Sequence, residues 1–342
     1  MKLIILSTDP TILREGSGAY MRTKEYEKLF DELHVVLVTG IFSLVTSFFI
    51  CARIAKKAPK SFLVSSQEEF TGLIAALLRW ALGVRWQAQI HTDVFGPYYT
   101  RVFFKNKLRR LVARATLGQA SCIRAVSRRI QKSLVAQGFS APVDILPITP
   151  DFERFRTIAL PSQSDECVAL IISRLTREKN VLGAVRAFAA AYKKVSALRL
   201  RIAGEGPERA ATEREAARLG VASAVSFVGF QQDIRSELEG ADLVFLFSWY
   251  EGFGMAAAEA MAAGRAVVMS DVGIAGELLV HEVSGIVVGP GDEVAAGNAL
   301  IKLAQDRALR ERLGEEARKS IALLGDVDYY KKFQTICESC MQ

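Results

Sequence analysis

The sequence predicts an α/β protein built from two doubly wound, mostly parallel sheets. Three observations support this prediction. Short apolar runs of strand length alternate with longer amphipathic stretches through both halves of the chain, which is the pattern of βα units. The stretch from Pro147 to Ser164 interrupts that rhythm with three prolines and few apolar residues. At 342 residues, the chain is longer than is usual for one hydrophobic core and long enough for two domains.

The predicted strands in the first half are Leu3–Leu6, Val35–Val38, Phe62–Val64, Trp86–Ile90, Ser121–Val126 and Val143–Leu146. Those in the second half are Val168–Ile172, Leu198–Ala203, Val225–Val228, Leu243–Phe247, Ala266–Met269 and Gly285–Val288. We therefore expect an N-terminal domain over 1–150, a linker over 151–164 and a C-terminal domain over 165–325. The last stretch, 326–342, reads as a helix that packs back on the N-terminal domain.

The composition is that of a folded protein in a reducing compartment. Half of the residues are hydrophobic and 24% are charged, which excludes a disordered chain. The five cysteines are odd in number and mostly scattered, so no disulfide framework is expected. Cys337 and Cys340 form a lone CxxC with no second pair and no nearby histidine, which is a weak signal for a metal or redox site.

The positive charge is concentrated in the first half of the chain. Residues 1–150 contain 21 Lys and Arg against 10 Asp and Glu, whereas residues 151–342 contain 23 against 27. A basic N-terminal half predicts an acidic partner, which could be an anionic membrane surface, a phosphorylated acceptor or nucleic acid.

One uncharged stretch, Val35–Ala52, reaches the lower length limit of a membrane span. Thr39-Gly40 interrupts it, so we interpret it as a strand, a turn and an apolar helix from Ile41 to Lys57. That helix is either a core helix or a surface helix that dips into a leaflet. Met1–Ser7 is too short for a signal peptide, and we expect a cytoplasmic protein, with the inner face of the membrane as a further location.

A basic stripe follows in the same half. Arg101, Lys105 and Arg109 are spaced by four residues, which predicts one face of one helix, and Lys107, Arg110 and Arg114 widen it. Three interpretations remain open: a solvated face, docking to anionic lipid, or nucleic-acid binding. No recognised nucleic-acid module is visible, and docking to lipid would suit a lipid-linked acceptor.

The residues that could bind a ligand or take part in catalysis follow the predicted strands. Ligands of open α/β sheets bind beyond the carboxyl ends of the strands. The candidates at these positions are Gly16, Gly18, His91, Arg174, Lys179, Gly204 and the segment Tyr250–Glu259. Each is weak alone, because glycines, surface cations and a lone histidine are commonly structural. Their shared topological position is what indicates a site.

The segment Tyr250–Glu259 is the centre of this prediction. An apolar run ends in a turn that contains Gly252 and Gly254, and a helix-forming run follows. The first N–H groups of such a helix have no partner within the helix and favour a phosphate. Glu251 precedes the helix and Glu259 lies about 8 Å further on, at 1.5 Å per residue. Two carboxylates could thus bind the hydroxyls of two sugars on either side of a diphosphate, unless both are merely solvated.

The second half resembles the retaining glycosyltransferases of family 4. The matching residues are Ser173-Arg174-Leu175, Glu178-Lys179-Asn180, Ile202–Pro207, Val228-Gly229-Phe230, Tyr250–Gly254, Glu259–Gly264, Asp271-Val272-Gly273 and Ser284-Gly285. The two glutamates spaced by eight are the family's EX7E motif. In the first half, Gly16-Ser17-Gly18 stands where the family has a glycine loop, and Ile90–Asp93 looks like its histidine loop. The linker departs, with Pro147-Ile148-Thr149-Pro150-Asp151 in place of Pro-Asn-Gly-Val-Asp.

The resemblance implies a GT-B architecture, in which two Rossmann-like domains face a central cleft, and a nucleotide-sugar donor. It implies that Arg174 and Lys179 hold the diphosphate without a metal ion or cofactor, aided by backbone N–H groups of Gly254, Met255 and Ala256. Glu259 would bind the ribose and Glu251 the transferred sugar. Phe230 would flank the base. Gly204, Gly252 and Phe253 would shape the donor site, to which Gly16 and Gly18 also belong, and His91 would approach the anomeric carbon.

Several functions compete at this point. A retaining glycosyltransferase with a glycan or lipid-linked acceptor is the main prediction. The alternatives are another GT-B enzyme, such as a nucleotide-sugar epimerase or a phosphorylase, and a binding-only homologue that acts as a partner subunit. Two carboxylates could also indicate a glycosidase, but the basic residues around them argue against it, because a hydrolase has no diphosphate to neutralise.

Overall fold

The computed structural model describes residues 1–67, 69–147, 152–159, 164–325 and 328–342. The chain divides into two compact units, which we call unit 1 (Met1–Ile148 with Val327–Gln342) and unit 2 (Thr149–Asp326). Each unit has its own six-stranded parallel sheet and its own buried core. The two-sheet α/β fold predicted from the sequence is confirmed.

The strands are β1 (Lys2–Ser7), β2 (Glu32–Leu37), β3 (Phe62–Ser66), β4 (Arg85–Ile90), β5 (Cys122–Ala125), β6 (Val143–Ile145), β7 (Cys167–Ile172), β8 (Leu198–Ala203), β9 (Val225–Gly229), β10 (Leu243–Leu246), β11 (Ala266–Ser270) and β12 (Ile286–Val288). All twelve apolar runs predicted as strands form strands, with bounds that differ by a few residues. The strands could be predicted because a parallel strand that is covered on both faces is apolar along its length.

The helices are α1 (Gly18–Glu27), α2 (Ile41–Ala55), α3 (Glu69–Leu82), α4 (Tyr99–Val102), α5 (Lys105–Leu117), α6 (Arg128–Ala136), α7 (Glu153–Arg156), α8 (Val181–Tyr192), α9 (Arg209–Arg218), α10 (Arg235–Glu239), α11 (Met255–Ala262), α12 (Glu293–Gln305), α13 (Arg307–Ala322) and α14 (Tyr329–Met341). Unit 1 comprises β1–β6, α1–α6 and α14, and unit 2 comprises the others.

The strand order fixes where a ligand is expected in each sheet. Unit 1 has the order β2-β1-β3-β4-β5-β6, and unit 2 has the order β12-β11-β10-β7-β8-β9. In unit 2 the chain runs outward from β7 to β9, returns to β10 beside β7, and then runs outward the other way. The reversal between β7 and β10 is a topological switch point, and the loops after these two strands diverge there.

The helix α14 packs against β3, β4 and β5 of unit 1. Phe333 is fully buried and stacks on Tyr26 with 4.4 Å between ring centroids, and the hydroxyls of Tyr26 and Tyr329 lie 2.8 Å apart. Cys340 forms a disulfide with Cys122, with 5.3 Å between the Cα atoms. This pair corrects the expectation of a chain without disulfides.

The CxxC pair is part of the same core. Burial raises the pKa of Cys337 to about 12, and the side-chain N–H of Gln87 donates to its sulfur at 3.5 Å. Throughout the described ranges, no three His, Cys, Asp or Glu side chains are grouped to hold a metal ion.

The basic stripe predicted on a single helix is broken in the structure, so this prediction was wrong. Arg101 lies in α4, whereas Lys105 and Arg109 lie in α5. Phe103 between them is extended, with φ −133° and ψ 130°. The buried Asn106 side chain donates to the Tyr99 carbonyl at 2.7 Å, which stabilises the break.

The predicted linker contains structure as well. Phe152 and Phe155 are buried, and α7, which lies between β6 and β7 in the chain, contacts α11. The linker prediction missed these two apolar anchors because two aromatic residues are too few to show a helical period. The expected boundary at 150/151, the segment 148–151 and the start of the C-terminal stretch at 326 lie outside the described residues.

The apolar helix α2 ends at Ala55, two residues before the predicted Lys57. It buries Ser47, Cys51 and Ala55 and exposes Phe42 and Phe49, so it is not a core helix. In the parts of the chain that the structure describes, no helix combines the length and apolar character needed to cross a membrane.

Candidate active site

The ion pair between Lys179 and Glu251 lies at the switch point of unit 2. Lys179 Nζ is 2.6 Å from Glu251 Oε1, and the two side chains are only 18% and 16% exposed. Ser248 Oγ donates to the same carboxylate oxygen at 2.8 Å. Lys179 follows β7 and Glu251 follows β10, so the pair ties together the two loops that flank the reversal of strand order.

A second carboxylate, that of Glu178, organises the loop after β7. Its Oε1 accepts from Thr176 Oγ1 at 2.7 Å and from Arg174 Nη2 at 3.2 Å. Its carbonyl accepts from the N–H of Trp249 at 2.8 Å, which adds a backbone link between the loops after β7 and β10. The Arg174 side chain is mostly exposed, so its guanidinium is accessible to a ligand. Glu178 was not among the predicted site residues, although it directly precedes Lys179.

The turn before α11 positions the amino end of that helix beside Glu251. Gly254 caps α11 with φ 94°, and no side chain of the described residues caps the helix in its place. The Phe253 carbonyl accepts from the N–H of Ile274 at 2.9 Å, and Phe253 is buried. The backbone N–H groups of Met255 and Ala256 belong to the first turn, where they carry the positive end of the helix dipole.

Glu259 lies on α11 and is half-buried. Burial raises its pKa to about 7, and the nearby positive charge of Arg154 opposes that rise. A carboxylate that titrates near neutral pH is found at functional sites more often than elsewhere. Arg154 belongs to α7, inside the predicted linker, and no sequence pattern connects it with Glu259, more than a hundred residues away.

The glycines after β8 allow loops to approach closely. Gly204 has φ 146°, and a Cβ atom on it would lie 1.8 Å from the Ser173 carbonyl oxygen. Its N–H donates to the Gly229 carbonyl at 2.8 Å. Phe230, directly after Gly229, is 75% exposed, so its ring is available to a planar ligand. The structure thus places Arg174, Lys179, Gly204, Phe230, Glu251 and Gly252 in the loops that follow the strands of unit 2, whereas Glu259 lies four residues into α11.

The remaining candidates belong to unit 1. Gly16 has φ 77°, and Gly18 begins α1 after Ser17, whose hydroxyl accepts from the N–H of Tyr20 at 3.0 Å. His91 follows β4, and its Nε2 is excluded from solvent without a hydrogen-bond partner among the described residues. The side chain as a whole retains some exposure, so the burial concerns the inner edge of the ring.

His91 is held neutral at physiological pH. Burial is the largest cause that lowers its pKa, to about 3, and the positive charges of Arg124 and Arg22 lower it further. Arg124 is itself buried, donates to the Leu146 carbonyl at 3.0 Å and to Gln89 Oε1 at 2.9 Å, and lies over the Phe333 ring. Arg124 lies in a predicted strand, but neither Arg124 nor Arg22 was predicted to lie near His91.

The chain is similar in sequence to known glycosyltransferases. The family model "Glycosyl transferase 4-like domain" matches residues 37–149, and the model "Glycosyl transferases group 1" matches residues 154–320. An uncharacterized glycosyltransferase of Methanocaldococcus jannaschii is 36% identical over 161 residues, which cover 46% of this chain and 41% of that protein. The N-acetyl-alpha-D-glucosaminyl L-malate synthase of Bacillus anthracis is 32% identical over 156 residues, again 46% and 41%.

The matched segments span about two fifths of the length of these curated relatives. A solved structure covers more of the chain. Anabaena Alr3699/HepE, in complex with UDP and glucose, superposes with a TM-score of 0.76 at 19% identity and covers 99% of this chain and 100% of its own. At that identity the likeness concerns the fold. With both family models matched in chain order and the two-sheet fold in common, the chain belongs to the glycosyl transferases group 1, glycosyltransferase family 4, and has its GT-B fold.

Proposed function

We propose that the protein is a retaining glycosyltransferase (EC 2.4) that moves a hexosyl group from a nucleoside-diphosphate sugar to a glycan or lipid-linked acceptor. UDP- and GDP-sugars are the proposed donors, and cell-surface polysaccharide or glycolipid synthesis on the cytoplasmic side of a membrane is the proposed setting. Family membership supports the reaction class. The acceptor side is supported by the basic composition of the first half of the chain.

The observation that carries the proposal is the Lys179–Glu251 pair at the switch point of unit 2. Two cations, Arg174 and Lys179, lie on the loop after β7, and the amino end of α11 lies on the loop after β10. Together they supply positive charge and N–H donors for a diphosphate. Both hydrogen bonds to Glu251 from the described residues use Oε1, so Oε2 faces no such donor and suits a sugar hydroxyl.

The proposed reaction breaks the bond between the anomeric carbon and the diphosphate oxygen and forms a bond from the same carbon to an acceptor hydroxyl on the same face. The acceptor proton passes to the departing phosphate oxygen. Arg174, Lys179 and the first N–H groups of α11 stabilise the negative charge that develops on the diphosphate. No metal or cofactor is required by this assignment, and no carboxylate acts as a nucleophile in it.

The other residues are assigned to binding. Glu259 accepts hydroxyls of the ribose, and Phe230 flanks the base. Gly204 and the turn Gly252–Gly254 let backbone approach the donor, as do Gly16 and Gly18 in the glycine loop of unit 1. His91 is assigned to the transferred sugar near the anomeric carbon, where its neutral ring at pH 7 donates or accepts a hydrogen bond without carrying charge.

Two experiments test the proposal. UDP-, GDP- and ADP-sugars are screened for thermal stabilisation of the purified protein, because a ligand of the native state raises the melting temperature. Sugar release or transfer is then measured with the best donor. The Arg174→Ala/Lys179→Ala variant should lose donor binding, whereas Lys193→Ala/Lys194→Ala, on an exposed part of unit 2, should not. Unchanged binding by the first variant would mean that the donor site is misplaced.

The same measurements separate the alternatives. If the protein binds a nucleotide sugar but neither hydrolyses it nor transfers its sugar to any acceptor tested, it is a binding-only homologue. A protein that converts the donor into another nucleotide sugar is an epimerase. Formation of a new glycosidic bond with the anomeric configuration of the donor supports the proposed reaction.

A further inference from the structure

The helix α2 is apolar on its outer side and has small or polar residues on its inner side. Ser47, Cys51 and Ala55 are fully buried, whereas Phe42 is 91% exposed and Phe49, seven residues later, is also exposed. A helix that serves only its own domain has the opposite arrangement, with its large apolar residues facing the core. The outer side of α2 therefore has the composition of a surface that is covered by something other than unit 1.

The neighbouring helices extend this surface. The helix α2 packs beside α3, and α3 packs beside α5. The helix α3 exposes Leu73, Leu77 and Trp80 at positions i, i+4 and i+7, and the start of α5 exposes Phe104, Leu108 and Leu111 at the same spacing. Trp80 and Phe104 are each 83% exposed. We call the outward sides of α2, α3 and α5 the apolar face. Contiguous exposed patches of this kind mark interaction surfaces.

Positive charge surrounds the apolar face, and negative charge is rare in it: Glu69, at the start of α3, is the one acidic residue in the sequences of α2, α3 and α5. Residues 94–143 contain ten Lys and Arg and no Asp or Glu, and residues 41–67 contain four and none. Lys105 and Lys107 are exposed at the start of α5, with Lys107 Nζ 4.9 Å from the centre of the Phe104 ring. Lys56 and Lys57 are exposed at the end of α2.

We propose that the apolar face is a docking surface for an anionic lipid bilayer. Its Phe, Leu and Trp side chains enter the boundary between headgroups and acyl chains, and the lysines and arginines around them contact anionic headgroups. A second copy of the chain does not suit the face, because pairing would bring two basic surfaces together. The three helices offer a single carboxylate to neutralise them, that of Glu69, which already accepts from the Tyr99 hydroxyl at 3.2 Å. The surface is assigned independently of the donor chemistry proposed above.

The first test is flotation of the full chain with vesicles. Binding is expected to phosphatidylcholine vesicles that contain about 30% phosphatidylglycerol, and to weaken at least tenfold when the lipid is phosphatidylcholine alone or when salt is raised to about 0.5 M. Absence of binding to the anionic vesicles, or equal binding to both kinds, would overturn the proposal.

The second test uses the native tryptophans. Trp80 is exposed, whereas Trp86 is fully buried and Trp249 lies in unit 2 and is half-buried. Anionic vesicles should therefore shift the emission of the wild-type protein to shorter wavelength, and Trp80→Phe should abolish the shift while the protein still floats with the vesicles. An emission spectrum that does not change although the protein is bound contradicts insertion of this face.

Matched variants locate the surface. Phe42→Ser/Phe49→Ser should weaken vesicle binding about tenfold or more, whereas Val294→Ser/Leu323→Ser, which changes two exposed apolar residues of unit 2, should not. Lys105→Gln/Lys107→Gln should remove most of the preference for anionic lipid, and Lys193→Gln/Lys194→Gln should retain it.

The Arg174→Ala/Lys179→Ala variant should bind vesicles like the wild type, so an error in the donor-site assignment can be distinguished from an error in the docking surface. If the wild type is a dimer without lipid and Phe42→Ser/Phe49→Ser makes it a monomer, the face is a protein interface and the proposal is wrong.

Discussion

Lys179 Nζ and Glu251 Oε1 lie 2.6 Å apart and form an ion pair. The pair holds two loops together, and its two residues are 72 positions apart in the chain. The contact fixes the orientation of both side chains, with Lys179 beside the turn that leads into α11. Such preorganisation lowers the entropy that substrate binding costs.

The first prediction concerns the stability of this pair. Lys179→Met leaves a partly buried carboxylate with Ser248 as its remaining partner, and it should lower the free energy of unfolding by about 1–2 kcal/mol. Glu251→Gln in the same protein should restore part of that loss, because the unpaired charge is gone. The measurement is a double-mutant cycle by urea denaturation, with an expected coupling of about 1 kcal/mol. Additive single effects would show that the contact is not maintained in solution.

The second prediction separates the roles of the two glutamates. If Glu251 binds the transferred sugar, Glu251→Gln should weaken binding of the nucleotide sugar about tenfold and leave binding of the free nucleoside diphosphate nearly unchanged. Glu259→Gln should weaken both ligands, since the ribose is common to them. Calorimetric titration of each variant with the diphosphate and with the nucleotide sugar gives the comparison. The reverse pattern would exchange the two assignments.

The third prediction follows from the raised pKa of Glu259. Its pKa is about 7 in the folded protein, against 4.5 ordinarily, so the unfolded chain loses this proton first as the pH rises. Stability should therefore fall between pH 4.5 and pH 7 on account of this group. Glu259→Gln removes that loss and should be more stable than the wild type at pH 8, by up to about 3 kcal/mol relative to the difference at pH 4.5.

Urea denaturation at the two pH values measures this effect, and Glu239→Gln, which changes an exposed glutamate on α10 of unit 2, can serve as a reference for general charge effects. A stability difference that does not depend on pH would mean that Glu259 has an ordinary pKa. The wild type should also bind its donor more weakly below pH 7, because a protonated Glu259 accepts fewer hydroxyls.

The fold was readable from the sequence because parallel strands are buried on both faces and appear as apolar runs. Contacts between residues that are far apart in the chain have no comparable pattern in the sequence. Cys122 and Cys340 lie 218 residues apart and meet only because α14 packs on β5. Likewise, the extended Phe103 that separates α4 from α5 is a single residue, and a helical spacing of charges runs across it without interruption.

The candidate site was predictable to a similar extent. Arg174, Lys179 and Glu251 were found because they follow strands, and topology alone brings the loops after β7 and β10 together. Glu178 and Arg154 were missed because they act on other side chains: Glu178 bonds Arg174, and Arg154 moves the pKa of Glu259. Such neighbours are defined by the folded structure and not by a spacing in the chain.

The fourth prediction concerns His91. Its pKa of about 3 in the folded protein lies below the ordinary 6.5, so the unfolded chain takes up this proton first as the pH falls. Stability should drop below pH 6.5 on this account by up to about 1.4 kcal/mol per pH unit. His91→Gln lacks this loss, so the free energy of unfolding of the variant should rise relative to that of the wild type as the pH falls from 6 to 4.

NMR titration of the three histidines, with His91→Gln for assignment, should show one ring that stays neutral at pH 5. A ring that titrates near pH 6.5 at this position would contradict the prediction.

The last prediction uses a pair of glycines after β11 to test the turn before α11. Gly273 has φ 56°, and a Cβ atom on it would lie 2.3 Å from the Phe253 carbonyl oxygen. Gly276 also has a positive φ, 75°, but a Cβ atom there would meet nothing within 4 Å. Gly276→Ala should therefore cost about 1 kcal/mol of backbone strain and leave nucleotide binding intact. Gly273→Ala carries the same strain and also displaces Phe253, so it should cost about 1–3 kcal/mol more and weaken nucleoside-diphosphate binding at least tenfold. Urea denaturation measures the stability of the two variants, and calorimetric titration measures their binding of the nucleoside diphosphate.

If both variants lose the same stability and bind the nucleoside diphosphate equally well, the turn Gly252–Gly254 does not depend on its contact with Gly273. The amino end of α11 would then not belong to the proposed donor site.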